Sequence, residues 1–271
     1  MKIFRHKNNL INEISGLKHL GFVPTMGALH DGHLSLVDKA KKKSKKILVS
    51  IYVNAKQFNS KKDLKKYPRS LNKDINLLKK RKVDYLYIPN DKDIHSFRLN
   101  KSIYLDKFSK KLCGKFKPGH FKAVVDVVNR FLEIIKPKTI YLGMKDFQQL
   151  SLIKLHINQK NINTRLIACP TIRGTSGLAL SSRNNKLKNN QILQAGMIYS
   201  YIKKNKKKIL RKILNNKKSE IVNKLIELGA RKVEYIECLN LKKLKFSKNT
   251  KTNFNVFVAY YLSNVRLIDN L

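Results

Sequence analysis

From Leu20 to His33 the chain reads LGFVPTMGALHDGH, which predicts the first strand and the first helix of the fold. Its first residues form a short apolar run, which predicts a buried strand. Beyond a turn that contains two glycines, apolar residues three positions apart predict a helix from His33 to about Lys43. A buried strand that passes through a turn into a helix is the opening unit of a parallel α/β sheet.

The same alternation continues through the first two thirds of the chain. Apolar, β-branched runs predict further buried strands, and segments with one apolar face predict the helices between them. Because continuous apolar strands joined by helices pack as a parallel sheet covered on both faces, we expect an α/β domain. The predicted strands are 20–24, 46–54, 83–89, 139–143 and 165–170, and the predicted helices are 33–43, about 71–78, 121–135 and 147–156.

The pattern changes near Pro170. A segment rich in Gly, Ser and Thr runs from Thr171 to Ser182, and Lys- and Asn-rich helical regions follow it. We therefore expect a smaller α+β domain at the C-terminus, with domains at 1–172 and 173–271. Its helical regions are predicted at about 186–215 and 219–228, and its strands at 233–239 and 254–262.

The charge balance is strongly basic, with 59 Lys and Arg against 17 Asp and Glu, a net charge of +42. Charged residues make up 28% of the chain, close to the usual value of about 25%, so only the sign is unusual. The basic residues are mostly Lys and are dispersed along the whole chain. This distribution favours a genome composition bias over a nucleic-acid surface, and no specific nucleic acid is expected. The field should still attract anionic ligands such as nucleotides.

The remaining composition points to a globular protein of the cytoplasm. A hydrophobic content of 42% is too high for a disordered chain. No stretch approaches the roughly 20 apolar residues of a membrane helix, and the N-terminus shows no signal-peptide pattern. Three widely separated cysteines without a CxxC pair fit neither a disulfide framework nor a zinc ribbon. We expect a soluble cytoplasmic protein with no membrane partner.

The turn after the first strand carries the clearest chemistry. Ligands of open α/β sheets bind at the carboxyl ends of the strands, and a helix N-terminus there suits phosphate. Gly27 and Gly32 allow the backbone to approach a ligand closely. His30 and His33 are three residues apart, so both rings are candidates to stabilise one phosphate group. A capping histidine or half of a metal site are the alternatives, and the other histidines supply no further ligand-spaced pair.

Sequence blocks spread over the whole chain carry a family resemblance. The first, PTMGALHDGH, resembles the HxGH signature of the nucleotidyltransferase superfamily. Together and in this order, the blocks are similar to the pantothenate synthetase (pantoate–β-alanine ligase) family. The others are 49–58 (VSIYVNAKQF), 67–69 (YPR), 117–121 (KPGHF), 143–150 (GMKDFQQL), 177–184 (GLALSSRN) and 266–270 (RLIDN).

The resemblance implies a Rossmann-like nucleotidyltransferase domain and an AMP-forming ligase. In that family ATP adenylates the carboxylate of pantoate and releases pyrophosphate, and the amine of β-alanine then displaces AMP. The resemblance also implies a homodimer. Mg²⁺ should accompany ATP, with Asp74 or Asp63 as candidate ligands and water plus phosphate as the alternative.

The resemblance also assigns nucleotide contacts. His33 would be a general acid or a phosphate stabiliser beside His30, and Lys145 would bind phosphate unless it is one more surface lysine. Ser181, Ser182 and Arg183 resemble a second phosphate-binding signature on a mobile loop, which Gly174 and Gly177 would let close. Asp146 would bind the nucleotide or cap the next helix, and the backbone at Ile172 would contact adenine. The remaining expected contacts are Met26, Gly27, Ala28, Leu29, Asp31, Gly32, Gly143, Met144 and Leu180.

Two carboxamides are the candidates for pantoate. Gln57 and Gln149 can hold hydroxyls and a carboxylate without proton transfer, with Gln57 also near β-alanine, although either residue would otherwise be an ordinary surface glutamine. Met26 would pack against the methyl groups of pantoate or belong to the core.

Three positions depart from the family pattern. Cys113 stands where the family usually has Glu, Lys117 replaces an Arg, and Met144 replaces a Glu. Lys117 keeps the charge but loses the planar guanidinium fork, so we expect weaker function there rather than none. Two other hypotheses remain open: a nucleic-acid-binding protein that uses the basic field, and a relative that binds ATP without turnover.

Overall fold

Six parallel strands organise the first of two units in the computed structural model, which describes residues 1–249 and 253–271. The units are residues 1–171 and residues 172–271. The strand order of the first sheet is β1-β4-β3-β2-β5-β6, so β2 lies between β3 and β5. The strands are β1 (Lys2–Phe4), β2 (Leu20–Thr25), β3 (Lys46–Ile51), β4 (Tyr85–Tyr87), β5 (Thr139–Gly143) and β6 (Arg165–Cys169).

The topology creates a switch point beside β2. From β2 the chain crosses to β3 on one side, and β5 later joins β2 on the other side. In sheets of this kind ligands bind outside the carboxyl ends of the strands where the strand order reverses. The ends of β2, β3 and β5 therefore mark the candidate site.

Eight helices accompany these strands in the first unit. The longest is amphipathic and buries an apolar face whose Phe131 ring lies 5.6 Å from that of Phe22 and 6.1 Å from that of Tyr87. These contacts fix the helix against the centre of the sheet. The helices are α1 (Lys7–Ile14), α2 (Asp31–Lys41), α3 (Lys61–Lys65), α4 (Leu71–Lys80), α5 (Asp91–His95), α6 (Cys113–Phe116), α7 (His120–Ile135) and α8 (Phe147–Gln159).

The second unit combines an antiparallel sheet of order β10-β9-β7-β8 with helices. Residues from its helices and strands share one apolar core that includes Ile198, Ile209, Ile236 and Val258. The elements are α9 (Asn189–Lys204), α10 (Lys206–Leu214), α11 (Lys218–Glu227), β7 (Lys232–Asn240), β8 (Lys245–Phe246), β9 (Phe254–Leu262) and β10 (Val265–Asn270).

The predicted fold class is confirmed: a parallel α/β sheet is followed by a smaller antiparallel sheet with helices. The helical region predicted at about 186–215 is confirmed, but it consists of two helices, α9 and α10. They are separated at Asn205, whose Nδ2 donates to the Tyr201 carbonyl at 2.8 Å. The strand predicted at 46–54 ends at Ile51, and the one at 83–89 is only Tyr85–Tyr87. Within the part of the chain that the structure describes, no helix has the length and apolarity to span a bilayer.

Candidate active site

The turn after β2 is held by side chains at each of its successive amides. The Gly27 N–H donates to Thr25 Oγ1 at 3.2 Å, and the N–H groups of Ala28 and Leu29 donate to the two carboxylate oxygens of Asp74, each at 2.8 Å. The His30 N–H donates to the ring of His33. Since the amides of Ala28 and Leu29 bond to a carboxylate, they are engaged and cannot also bind phosphate.

The two histidines form a reciprocal cap at the start of α2. His30 Nδ1 accepts from the Gly32 N–H at 3.1 Å, and His33 Nδ1 accepts from the His30 N–H at 3.4 Å. The ring centroids are 4.1 Å apart. Because each Nδ1 is an acceptor, a neutral ring carries its proton on Nε2. The predicted capping and phosphate roles are thus compatible, since they use different nitrogens.

Burial keeps both imidazoles neutral. It lowers the pKa of His30 to about 4, with the Lys145 ammonium as the second cause. It lowers the pKa of His33 to about 3, with His30 as the second cause. At neutral pH both rings are therefore hydrogen-bond donors through Nε2–H rather than cations. The neutral His33 ring can therefore donate through Nε2–H to a phosphate oxygen.

These shifts predict a loss of stability in mild acid. The pKa of a histidine in an unfolded chain is about 6.5. In the folded protein, burial lowers the pKa of His30 and of His156 to about 4. Between those values the unfolded chain binds more protons, so the free energy of unfolding falls as the pH drops from 7 to 5. Urea unfolding at both pH values measures the change, and His33→Asn should make it smaller. Equal stability at both values, or the same change in the variant, would contradict this account.

A lysine and an aspartate follow β5 at the same sheet edge. Lys145 lies in a 3-10 turn, Met144–Asp146, and its side chain is 19% exposed. Its Nζ is 3.8 Å from the Asp146 carboxylate, and its charge lowers the pKa of both His30 and His33. Asp146 occupies the N-cap position of α8 but makes no capping bond with its side chain. The capping alternative for Asp146 therefore fails, which leaves its half-exposed carboxylate for another partner.

Gln57 and Met26 are brought together. Gln57 ends a 3-10 turn after β3, Ala55–Gln57, and its Nε2 lies 2.8 Å from Met26 Sδ. Asn54, which is 2% exposed, donates to the Ala123 carbonyl at 3.1 Å. His120 Nδ1 lies 2.7 Å from the Gln57 carbonyl. The first turn of α7 thus holds both ends of the segment from Asn54 to Gln57.

Gln149 lies in the first turn of α8 and is half-buried. The neighbouring Gln148 is buried. The Nε2 of Gln148 donates to the Phe108 carbonyl at 2.8 Å and to the Lys111 carbonyl at 2.7 Å. Gln148 therefore anchors the segment that leads into α6, where Cys113 is buried and Lys117 is the C-cap. Two of the three departures from the family pattern lie in this anchored segment.

Asp74, a candidate ligand for Mg²⁺, is buried and already bonded within the protein. Asp74 is 1% exposed, and its Oδ1 also accepts from the Ser70 hydroxyl at 3.2 Å, so its oxygens are already engaged. Among residues 1–249 and 253–271, no three His, Cys, Asp or Glu side chains form a group suited to a metal ion. The expectation that Asp74 ligates Mg²⁺ is therefore wrong, because its lone pairs bond to amides and a hydroxyl.

The second unit carries the remaining predicted contacts, Ile172, Leu180, Ser181, Ser182 and Arg183. The Leu180 N–H donates to the Ile172 carbonyl at 2.9 Å. Ser181 caps a 3-10 turn, Ser182–Lys186, by accepting from the Arg183 N–H at 3.3 Å, and Ser182 is buried. The loop at 180–183 is therefore held by a backbone hydrogen bond at Leu180 and by the Ser181 cap.

An ion pair fastens the turn that precedes this loop. Arg173 donates to both oxygens of Asp269 at 2.6 and 2.8 Å and to the Gly177 carbonyl at 3.1 Å. Its guanidinium lies 4.2 Å from the centroid of the Tyr199 ring. A Cβ on Gly177 would lie 2.4 Å from that ring. The turn is thus bonded to β10 and packed against α9, and the mobility of the loop at 181–183 stays a prediction.

Removing the acid of this pair should destabilise the second unit. Asp269→Ala leaves a largely buried guanidinium unpaired, so we expect a loss of about 3 kcal/mol in the free energy of unfolding. Glu227→Ala is the matched control, because its pair with Lys224 is exposed and should contribute little to stability. Urea unfolding compares them. Equal losses would show that the Arg173 pair is no stronger than an exposed one.

Sequence reasoning missed the supporting residues of the site. Asp74 stood out only as a metal ligand, although it lies on the helix face of Leu71, Ile75 and Leu78, where a polar residue needs a buried partner. Asn54, His120 and Gln148 lie inside the quoted sequence blocks, but nothing in their spacing indicated which backbone groups they hold.

Comparisons with known proteins identify the family of this chain. Residues 2–271 match the family model described as Pantoate-beta-alanine ligase. A pantothenate synthetase from Francisella tularensis subsp. novicida (strain U112) is 41% identical over 268 residues, 97% of this chain and 92% of that protein.

Two solved structures are similar in fold as well as sequence. A pantoate-beta-alanine ligase from Francisella tularensis, complexed with beta-gamma ATP and beta-alanine, is 39% identical with a TM-score of 0.82, covering 100% of this chain and 97% of that one. A pantothenate synthetase from Thermus thermophilus is 28% identical with a TM-score of 0.86, covering 100% of this chain and 99% of that one. The match of sequence and fold over the whole length shows that this chain is a ligase and belongs to the pantoate-beta-alanine ligase family.

Proposed function

We propose that the chain condenses (R)-pantoate with β-alanine through a pantoyl-adenylate. A pantoate carboxylate oxygen attacks the α-phosphorus of ATP and pyrophosphate leaves. The amine of β-alanine then attacks the carbonyl carbon of the mixed anhydride, and AMP leaves with that oxygen. The observation that carries this proposal is the pair of neutral imidazoles, His30 and His33, with the Lys145 ammonium near enough to lower the pKa of both.

The first step gathers negative charge at phosphorus, and these groups are suited to stabilise it. The Nε2–H groups of His30 and His33 donate to phosphate oxygens without a prior proton transfer, and Lys145 supplies a positive charge. Gly27 and Gly32 have no Cβ, so a phosphate group can approach the backbone closely beside the two histidines. Asp31, Gly143, Met144 and Asp146 border the same sheet edge and complete the nucleotide contacts that we propose in the first unit.

Pantoate is proposed to lie beside Met26, Gln57 and Gln149. The Met26 thioether offers an apolar, polarisable surface for methyl groups, and the carboxamides offer donors and acceptors for hydroxyls. Support comes from the Met26–Gln57 contact and from the bonds that hold Gln57 in place. We propose that β-alanine enters beside Gln57, and the relative solved with beta-alanine supports this substrate class.

We propose that residues of the second unit bind pyrophosphate, the group that leaves in the first step. Ser181, Ser182 and Arg183 would bind pyrophosphate, since hydroxyls and a guanidinium are strong donors to phosphate oxygens. The backbone at Ile172 and Leu180 would contact adenine. Support comes from the capped turn that presents these residues and from the sequence similarity to the family.

Mg²⁺ enters our proposal as part of the ATP substrate. Because the described residues form no carboxylate cluster, the ion would be held by phosphate oxygens and water, as Mg²⁺ commonly is. We propose the cytoplasm as location, since all three cysteines are buried thiols and structural disulfides are rare in that compartment. A homodimer is proposed on the family similarity, and sedimentation velocity would test it.

The test is isotope exchange between pyrophosphate and ATP in the absence of β-alanine. We expect exchange that requires pantoate, followed by AMP and pantothenate formation once β-alanine is added. Exchange without product would favour the relative that binds ATP and stops at the adenylate. Binding of ATP with no pantoate-dependent exchange would overturn the adenylate pathway.

A further inference from the structure

The carboxylate of Asp74 is buried beside the turn after β2. It lies on α4, is 1% exposed, and accepts three hydrogen bonds. Two of them come from consecutive amides, Ala28 and Leu29, which precede it by 46 and 45 residues. A buried carboxylate is stable only where charge or hydrogen bonds replace water. Here backbone N–H groups of the turn after β2 do so.

The turn needs such an anchor because its backbone is unusual. Gly27 has a φ of +77° and Ala28 a φ of +49°, so both lie in the left-handed region, which an alanine rarely adopts. A Cβ on Gly27 would lie 3.1 Å from Asp74 Oδ2. The carboxylate therefore packs directly on the turn and bonds to the residue that is strained.

The anchored turn leads straight into the two histidines. Leu29 is followed by His30, which caps α2, and His30 in turn donates its N–H to the ring of His33. A change in the backbone at 28 and 29 would therefore move both imidazoles together. Asp74 thus acts on the rings through the backbone that it holds.

We propose that Asp74 is a positioning residue for the activation of ATP: it holds the turn at 27–29 so that His30 and His33 meet the phosphate groups correctly. This inference rests on the proposed function, because it concerns the same reaction. It differs from a metal role, since both oxygens of Asp74 already accept hydrogen bonds from the protein.

The first experiment replaces Asp74 by asparagine. The amide keeps the size of the carboxylate but places an NH₂ group against one of the two backbone N–H groups, so the turn loses an anchor. We expect kcat/KM for ATP in pantoate-dependent exchange to fall by about 10- to 100-fold, the effect of a small misplacement of catalytic groups. Asp84→Asn is the matched control, because Asp84 also accepts a backbone N–H, from Ile47, at the amino end of the sheet. That control should retain activity within about 2-fold.

A double-mutant cycle separates positioning from a general structural effect. If Asp74 acts through the rings, Asp74→Asn should change the activity of a His33→Asn enzyme much less than it changes that of the unmodified protein, because the contact it positions is already lost. Asp84→Asn should have the same small effect in both backgrounds. Losses from Asp74→Asn that multiply with those from His33→Asn would overturn the proposal, as would an Asp74→Asn enzyme with normal kcat/KM.

Amide hydrogen exchange on the unmodified protein tests the anchor even if the variant does not fold. We expect the amides of Ala28 and Leu29 to exchange at least about 100-fold more slowly than in an unstructured chain, as for amides in stable hydrogen bonds. Exchange at the unstructured rate would refute the anchor. This measurement needs no activity, so failure of the proposed reaction and failure of the anchor are told apart.

Discussion

Replacing His33 by asparagine is expected to lower kcat/KM for ATP by about 10²- to 10³-fold, the effect of losing one donor to a developing charge. The asparagine Oδ1 lies near the position of the imidazole Nδ1, so it can still accept the His30 N–H and keep the cap of α2. What disappears is the donor at Nε2. The change therefore isolates the chemical role of the ring from its structural role.

Two further variants give this experiment its controls. His33→Gln places an amide nitrogen near the position of Nε2 and should recover part of the lost activity. His19→Asn makes the same exchange at an exposed histidine before β2, at the opposite edge of the sheet, and should leave the rate unchanged. Thermal melting checks that the variants remain folded. A His33→Asn enzyme within a few-fold of the unmodified rate would remove His33 from the chemistry.

Replacing Lys145 by methionine is expected to have a comparable effect, about 10²- to 10³-fold on pantoate-dependent exchange. Methionine keeps much of the length of the side chain and removes its charge, which would face the phosphates of ATP. Lys145→Arg should restore part of the rate, because it restores the charge with a different geometry. Lys138→Met, just before the amino end of the same strand β5, is the matched control. It should leave the rate of pantoate-dependent exchange unchanged.

Lys145 also offers a measurement that does not depend on turnover. Its ammonium is the second cause, after burial, of the lowered pKa of His30. In Lys145→Met the pKa of His30 should therefore rise, which NMR titration of the imidazole can follow. An unchanged His30 titration together with normal exchange would place Lys145 outside the site.

The periodicity of apolar residues and the positions of glycines were enough to predict the part of the site that residues close together in the sequence build. The strand β2, the turn and α2 follow one another within 22 residues, Leu20–Lys41, so their periodicity and glycines describe them directly. The cap formed by His30 and His33 is equally local. The sequence could therefore place both imidazoles at the carboxyl edge of the sheet.

Contacts between distant residues could not be predicted in the same way. Asp74 holds amides more than 40 residues earlier in the chain, and Arg173 bonds to Asp269, which is 96 residues later. The sequence offered Asp74 only as a candidate Mg²⁺ ligand, and nothing in the spacing of Arg173 and Asp269 indicated that they pair. The break between α9 and α10 was missed for a related reason: a single asparagine in a Lys-rich region does not interrupt the helical pattern.

The most direct test of the proposed reaction follows one oxygen atom. Pantoate labelled with ¹⁸O in its carboxylate is incubated with ATP, β-alanine and the protein, and the products are analysed by mass spectrometry. If the carboxylate attacks the α-phosphorus, AMP carries one ¹⁸O atom and pyrophosphate carries none. Unlabelled AMP, or label in inorganic phosphate or pyrophosphate, would mean that the carboxylate is activated at another phosphorus and that no pantoyl-adenylate forms.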